Sequence, residues 1–406
     1  MKILLVEPGR SGPTVKTNNF MNEFTIKFFP QKRPSTFPIL AAITPYNHTI
    51  HTFEGSPKEI NYDESYDLVG ITCTTPYAFS SYEIADEFRS RGVRVVLGGW
   101  HPSALPEEAK QHADCVVVGE AEDIWPELLL DAEHGVFKPF YVQEKPADPS
   151  IIPVKTKEYY SQKGFFVRGI QASRGCPYGC AFCAITNMKF GRIFRPRPIE
   201  DVIAEIKNLP HKSFVFQDSS MTINPTYTKQ LFRGIKDLNK KFYANGNADV
   251  LRKDDELLKI ASEAGCTRWY IGFESINQEN IEIIGKKTNI AEKYIDAVKK
   301  IHDYGMIVIG SFIFGFDGDT KDVFRLTDDF VQVSEIDTPS AHILTPYPGT
   351  PVYKKFDQEG RILTKDWTKY NLENVVFQPK NMQTWELRDY TLYLHKKWYK
   401  IKKKKK

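Results

Sequence analysis

Cys176, Cys180 and Cys183 fall within eight residues, spaced C-x₃-C-x₂-C, in the stretch Ser173-Arg174-Gly175-Cys176-Pro177-Tyr178-Gly179-Cys180-Ala181-Phe182-Cys183. Thiolates are the ligands of iron–sulfur clusters and of structural zinc. Three of them on a four-iron cluster leave one iron without a protein ligand, and an open metal position is what binding and reducing a substrate requires. Gly175, Pro177 and Gly179 suit a loop that wraps closely round an inorganic core. On spacing alone two other readings stay open: zinc with a distant fourth ligand, and loop thiols with no metal. The other cysteines, Cys73, Cys115 and Cys266, are scattered, so the set is not a disulfide framework.

Such a loop needs a scaffold, and the chain alternates short apolar runs with amphipathic stretches. In the first third, strands are expected at Lys2–Val6, Thr49–Phe53, Leu68–Cys73, Val93–Leu97 and Cys115–Val118, with helical stretches such as Ser81–Ser90 and Glu107–Gln111 between them. That alternation predicts an α/β fold, a doubly wound parallel sheet over residues 1–134, whose ligands sit at the carboxyl ends of the strands. Residues 135–164 carry Pro139, Pro146, Pro149 and Pro153 and little periodicity, which predicts an extended linker. A second series follows over 165–346. Its strands are Phe166–Gln171, Ser213–Phe216, Phe242–Asn245, Arg268–Phe273, Met306–Phe314 and Ala341–Leu344; its helices include Ile199–Asn208, Thr226–Leu238, Asp254–Ala264, Ala291–Tyr304 and Thr320–Val333. Six β/α units predict a partial (β/α)₆ barrel of TIM type, with the cysteines in the loop after its first strand. Residues 347–406 form a small, mainly helical C-terminal region with a last helix over Thr384–Tyr399.

The formal charge is +4, yet Lys396–Lys406 holds eight lysines and no acid; without those eight, 47 basic residues face 51 acidic ones. A mildly acidic body argues against a nucleic-acid groove. No apolar run approaches the ~18–20 residues of a membrane span, and Met1–Glu7 is too short for a signal-peptide core. A cytoplasmic location is expected.

The C-x₃-C-x₂-C arrangement, with aromatic Phe182 before the last cysteine, resembles the signature of the radical S-adenosylmethionine (SAM) superfamily. The resemblance implies a [4Fe–4S] cluster on Cys176, Cys180 and Cys183 whose open iron chelates SAM. It further implies adenine contact at Phe182 and SAM contacts at Asp218 and Ser219 after the second barrel strand. Glu274, in Gly272-Phe273-Glu274-Ser275, and Gly310 are implied on the fourth and fifth strands. Singly, each also fits a helix cap or a chain turn.

Ahead of the barrel, Thr72 and Thr74, then Gly98-Gly99-Trp100-His101-Pro102, then Gly119-Glu120 follow successive strands. Their order is similar to the cobalamin-binding, Rossmann-like domain that precedes many radical SAM domains, which implies cobalamin contacts at Thr72, Thr74, Gly98, Gly99, His101, Gly119 and Glu120. The loop Glu7–Thr14 carries no histidine, so the usual lower cobalt ligand is missing; His101 is the substitute to weigh, against a contact to the cofactor tail or a loop cap.

Together these features imply a cobalamin-dependent radical SAM enzyme resembling the hopanoid methylase and anaerobic magnesium-protoporphyrin ester cyclase group. It would cleave SAM reductively to a 5′-deoxyadenosyl radical, abstract hydrogen from an unactivated carbon, and transfer methyl from methylcobalamin. The alternatives are a non-methylating relative that cyclises or forms C–C bonds on a lipid or tetrapyrrole, and a non-catalytic metal- or cobalamin-binding sensor. A methylthiotransferase needs a second cluster, for which Cys73 and Cys115 are too few. Expected partners are a small-molecule or lipid substrate and an external one-electron reductant of flavodoxin or ferredoxin type. The aromatic and lysine residues of the tail fit either a solubilising end or peripheral contact with anionic lipid.

Overall fold

The computed structural model describes residues 1–9, 36–156 and 169–404, with side chains through Tyr399. Contacts divide the chain into two units. One holds Met1–Pro153 with Met188–Phe190 and Asp366–Thr368; the other holds Val154–Asn187, Gly191–Lys365 and Lys369–Lys406.

In the first unit β1 (Lys2–Pro8), β2 (Thr49–Gly55), β3 (Leu68–Thr72), β4 (Arg94–Gly98), β5 (Cys115–Val118) and β6 (Phe140–Val142) form one sheet. Its order is β2-β1-β3-β4-β5-β6, and every pair is parallel. Parallel sheets are covered on both faces, which is why the inner strands β1, β3, β4 and β5 read as apolar runs, while the edge strand β2 is polar and partly exposed. Ile3, Leu5, Leu68, Val96 and Cys115 pack with Phe37 and Leu40 of helix Thr36–Ile43 and with Trp125, Leu128 and Leu129 of helix Trp125–His134. The strand order reverses direction between β1 and β3, so the ligand crevice of this topology lies beyond their carboxyl ends. The segment expected to be an extended linker supplies β6, which adds to the sheet edge by the register Val116↔Phe140 to Val118↔Val142. Three residues directly after Pro139 are too short to show a period. The rest of that segment, from residue 157, lies outside the described residues, as do positions 166–168 of the strand expected next.

In the second unit β7 (Gly169–Ile170), β10 (Ser213–Phe216), β11 (Lys241–Gly246), β12 (Cys266–Glu274), β13 (Ile307–Phe314) and β14 (Thr338–Ile343) make a parallel sheet in chain order; β8 (Ser173–Arg174) and β9 (Arg195–Pro196) form a separate antiparallel pair. β7 and β14 are the two edges, so the barrel is open. Side chains alternate along these strands, with register shifts at Phe242/Tyr243 and Gly272/Glu274. Phe214, Phe216, Phe242, Ala244, Trp269, Ile271, Phe273, Phe312, Phe314, Ala341 and Ile343 enter one apolar core with the surrounding helices. Tyr243, Asn245, Tyr270, Ser311, Ser340 and His342 occupy the alternate positions and therefore face the other way. The sheet thus has an apolar face toward its helices and a polar inner face. Helices Pro225–Ile235 and Asp255–Glu263 start on caps: Asn224 Oδ1 accepts from Tyr227 N at 3.1 Å and Asp254 Oδ1 from Leu257 N at 2.9 Å.

The last helix runs Thr384–Lys404, five residues beyond the expected end. It buries Leu387, Leu394 and Trp398, and Trp398 Nε1 donates to Asp328 at 2.8 Å. Among the described residues no helix is long and apolar enough to cross a membrane.

Candidate active site

The three-cysteine loop leaves the carboxyl end of β7 and is tied down on every side. Arg197 N donates to Ala172 O at 2.8 Å, and Arg197 Nη1 donates to Gln171 O at 2.8 Å. Tyr227 OH donates to Ala172 O and Arg197 O at 3.0 and 2.9 Å. Arg197 is itself buried against Glu205, whose carboxylate also takes Lys155 Nζ at 2.7 Å. Past β8, Cys176 N donates to Gly191 O and Ala181 N to Ile284 O, both at 2.9 Å. Asn187 Nδ2 donates to the carbonyls of Cys180 and Cys183 at 2.9 and 2.8 Å, closing the far end of the loop.

Two glycines are required here by shape. Gly175 has φ +77°, and a Cβ on it would collide with Ile193 O; Gly179 has φ +69°, and a Cβ would lie 2.9 Å from Arg192 Cζ. Gly175→Ala is therefore expected to lower iron incorporation at least tenfold while leaving the far-ultraviolet circular dichroism unchanged. Iron assay per chain checks this.

The donor set fits a cluster. Burial pushes the Cys180 thiol up to about 12 and also raises Cys176, and in both cases neighbouring cysteines add to the rise. The buried ammonium of Lys286 pulls both back down. These two thiols resist ionising unaided, and a bound metal would deprotonate them by supplying the missing positive charge. Among the described residues no three Cys, His, Asp or Glu side chains gather tightly enough for one metal ion. What fits a cluster is the donor chemistry, three thiols on one glycine-bearing loop with a lysine ammonium near them, since thiolates are the ligands of iron–sulfur clusters.

Around this loop the other expected SAM positions separate. Phe182 is partly exposed, its ring 6.4 Å from that of Phe316. Glu274 ends β12 with φ +62°, a strained conformation for a residue with a side chain, and forms an ion pair with Lys286. Gly272 leaves room for that pair, since a Cβ there would collide with the Glu274 carboxylate and lie 2.7 Å from Lys286 Nζ. Asp218 is placed differently from expectation. Its carboxylate is buried and already accepts from Ser173 Oγ at 2.6 Å and Ala172 N at 3.1 Å, so it braces the start of the cysteine loop. Ser219 beside it is partly exposed. Gly310 also differs, because a Cβ would press on Ile336 at 3.0 Å and Phe273 at 3.1 Å, both in the apolar core. Its smallness serves packing, and the inward position next to it is Ser311. Lys286 and Asn187 were missed in the sequence; Lys286 follows Gly285, a left-handed turn residue at φ +71° that brings the chain back to the loop.

In the first unit the expected cobalamin positions lie together at the carboxyl ends of β3, β4 and β5. Thr72 ends β3 beside the switch point. Thr74 follows it, exposed. Gly99, at φ +109°, packs so closely that a Cβ would be 2.7 Å from Cys73 O, and Gly98 O accepts from Cys73 N at 2.8 Å. Ser103, unforeseen in the sequence, links two loops, donating to Gly99 O at 2.7 Å and accepting from Gly119 N at 2.9 Å. Gln143 of the segment after β6 accepts from Glu120 N at 3.0 Å and donates to Glu120 Oε2 at 3.1 Å. The amides of Gly119 and Glu120 are thus taken up in bracing the loops, and the hydroxyls of Thr72 and of exposed Thr74 are the groups that would suit the amide-bearing rim of a corrin ring.

His101 does not serve as a cobalt ligand in this arrangement. Its side chain is fully buried, with Nε2 3.1 Å from Glu108 Oε1 and Nδ1 3.3 Å from Thr75 Oγ1. Trp367 places its ring edge-on at 5.2 Å and donates Nε1 to the same Glu108 oxygen at 2.9 Å. Burial alone would raise the Glu108 carboxyl, but bonds from His101 and Tyr82 outweigh it and hold the carboxyl below its usual range.

Comparison with known proteins agrees with this geometry. The Radical SAM superfamily profile matches residues 170–331, and the B12 binding domain profile matches residues 58–129. The chain is 33% identical to bacteriochlorophyllide d C-12(1)-methyltransferase of Chlorobaculum tepidum over 346 residues, covering 82% of this chain and 75% of that one. It is 35% identical to the C-8(2)-methyltransferase of the same organism over 360 residues, covering 84% and 79%. Its fold resembles TsrM, a radical S-adenosylmethionine methyltransferase from Kitasatospora setae solved with cobalamin and a [4Fe–4S] cluster, with TM-score 0.70, 18% identity, and coverage of 88% and 78%. With both profiles matched in order and two relatives at a third identity across most of their length, the chain belongs to the cobalamin-dependent radical SAM methyltransferase family.

Proposed function

We propose that this chain methylates an unactivated carbon on a tetrapyrrole-type small molecule. The observation that carries the reading is the three-thiol loop at the carboxyl end of an open parallel barrel, in a chain that also holds a B12-binding domain. The substrate class is supported by the two relatives that act on bacteriochlorophyllide d. When bound, the cluster supplies the electron that breaks a carbon–sulfur bond of SAM, and the corrinoid carries the methyl group.

The protein's own residues do the rest. Cys176, Cys180 and Cys183 hold the cluster, and Asn187 fixes the carbonyls of the last two. Asp218 and Ser173 lock the loop entrance. Phe182 presents a ring to adenine, and Glu274, oriented by Lys286, together with Ser219 offers acceptors to the ribose and amino group. Thr72, Thr74 and the Gly98-Gly99 and Gly119-Glu120 turns, gathered at the carboxyl ends of β3, β4 and β5, would hold the corrinoid. The inner face of the barrel, including Tyr243, Tyr270 and His342, gives a substrate hydrogen-bonding groups, and burial lowers the His342 pKa to about 4, which favours its neutral imidazole. The lysine-rich end of the last helix suits transient contact with anionic lipid.

Anaerobic incubation with methyl-labelled SAM, a chemical reductant and a chlorophyllide tests the reading. One labelled methyl per product is expected. A ring-closed product without label would instead support the cyclase-like alternative, which a 26% identical anaerobic magnesium-protoporphyrin IX monomethyl ester cyclase keeps in view.

A further inference from the structure

From Arg174 through Ile199 the chain carries five cations, Arg174, Lys189, Arg192, Arg195 and Arg197, and no acid, although the chain outside its C-terminal lysines is net acidic. This stretch contains the cysteine loop and the segment that covers it. Within that cover, Gly191 O accepts from Cys176 N at 2.9 Å and Arg192 lies against Gly179, between the first two cysteines. Arg192 is exposed and has no ion pair among the described residues. The next side chain, Ile193, is 44% exposed. Arg195, partly exposed, donates to Ile193 O at 3.3 Å and so frames the same turn.

An unpaired guanidinium beside an exposed aliphatic side chain, directly over a redox loop, is the composition of a transient docking surface: charge steers the partner and a small apolar centre seats it. We infer that the Arg192–Ile193 turn is the docking surface for an acidic one-electron carrier of flavodoxin or ferredoxin type. The inference rests on the radical SAM reading above and adds where the reductant binds. In the step, the carrier loses one electron and the cluster gains it, passing from the 2+ to the 1+ state; no atom is exchanged. Arg192 packs directly on Gly179, a residue of the cysteine loop with no side chain to hold it off, so a carrier seated on Arg192 would lie close to that loop. Arg197 is excluded from the surface because it is buried against Glu205. A competing explanation is that the cations only offset the charge of the cluster, and the two predict different results.

The test uses the full chain with its cluster reconstituted, a reduced flavodoxin as the probe, and two variants, Arg192→Glu and Ile193→Asp. Binding of flavodoxin is measured by calorimetry at low and at high salt, and flavodoxin oxidation is followed by absorbance. Each variant is expected to weaken binding about tenfold, and Arg192→Glu to flatten its salt dependence. Iron content and the 5′-deoxyadenosine yield with dithionite, a small reductant that needs no docking surface, should stay within twofold for Ile193→Asp. Unchanged flavodoxin affinity in both variants overturns the inference. So does a loss of flavodoxin oxidation in Ile193→Asp matched by an equal loss of 5′-deoxyadenosine with dithionite, since that pattern belongs to cluster assembly. Failure of the wild-type chain to cleave SAM with dithionite would instead sink the radical SAM reading itself.

Discussion

Replacing Cys180 with Ala is expected to abolish SAM cleavage, lowering 5′-deoxyadenosine formation by at least ~1,000-fold, or about 4 kcal/mol of barrier. The thiol is buried at the centre of the loop, between Cys176 and Cys183, and its carbonyl is held by Asn187. With two thiolates left, the cube loses a corner on the protein side as well as the open one, and nothing nearby replaces it: among the described residues the remaining cysteines are buried in strands or strand ends elsewhere. The substitution removes one sulfur from a site held in place by backbone hydrogen bonds, so the apo fold should persist. Iron and sulfide per chain, the brown absorbance and product analysis by chromatography check the outcome. Retained radical chemistry in this variant would overturn the cluster assignment.

The largest effect on folding is expected from Glu205→Gln. Glu205 is fully buried on helix Ile199–Asn208 and bridges two buried cations, Lys155 Nζ at 2.7 Å and Arg197 Nη1 at 2.8 Å. Burying charges is tolerable only when they are paired; removing one partner leaves the others uncompensated and costs ~3–5 kcal/mol. For a unit of this size that is a fall in melting temperature of roughly 6–20 °C. The change should also reach the site, because Arg197 holds Gln171 O and Ala172 O where the cysteine loop begins. Thermal denaturation of the apo chain and iron content after reconstitution read the two consequences separately. A melting point within 2 °C of wild type would show the triad to be of little importance to stability.

The sequence made the chemistry legible before the architecture, because three cysteines in eight residues is a local pattern. Strands were legible where burial on both faces yields continuous apolar runs, as at Leu68–Thr72 and Ile307–Phe314. β6 escaped because three residues carry no period. Face was harder to read than presence. Gly310 was visible as a strand glycine, but only the register with Phe273 and Ile336 shows that it looks into the core. His101 sits after a Gly-Gly turn, where a ligand is plausible; its enclosure depends on Glu108 seven residues on and on Trp367, more than 250 residues away, and no local pattern reports such partners. Asp218 was legible as a polar residue at a strand end, while its partner Ser173 lies across the site.

The reluctance of Cys176 and Cys180 to ionise has a consequence for how the enzyme matures. Before iron arrives, these two sulfurs are held toward the protonated form, so Cys176 and Cys180 should be slow to react with alkylating agents and slow to oxidise. Loading the metal then expels protons into solvent, and mild acid will oppose it. Cluster loading is thus expected to be weaker in mild acid than in slightly alkaline buffer, which iron content after reconstitution at a series of pH values checks.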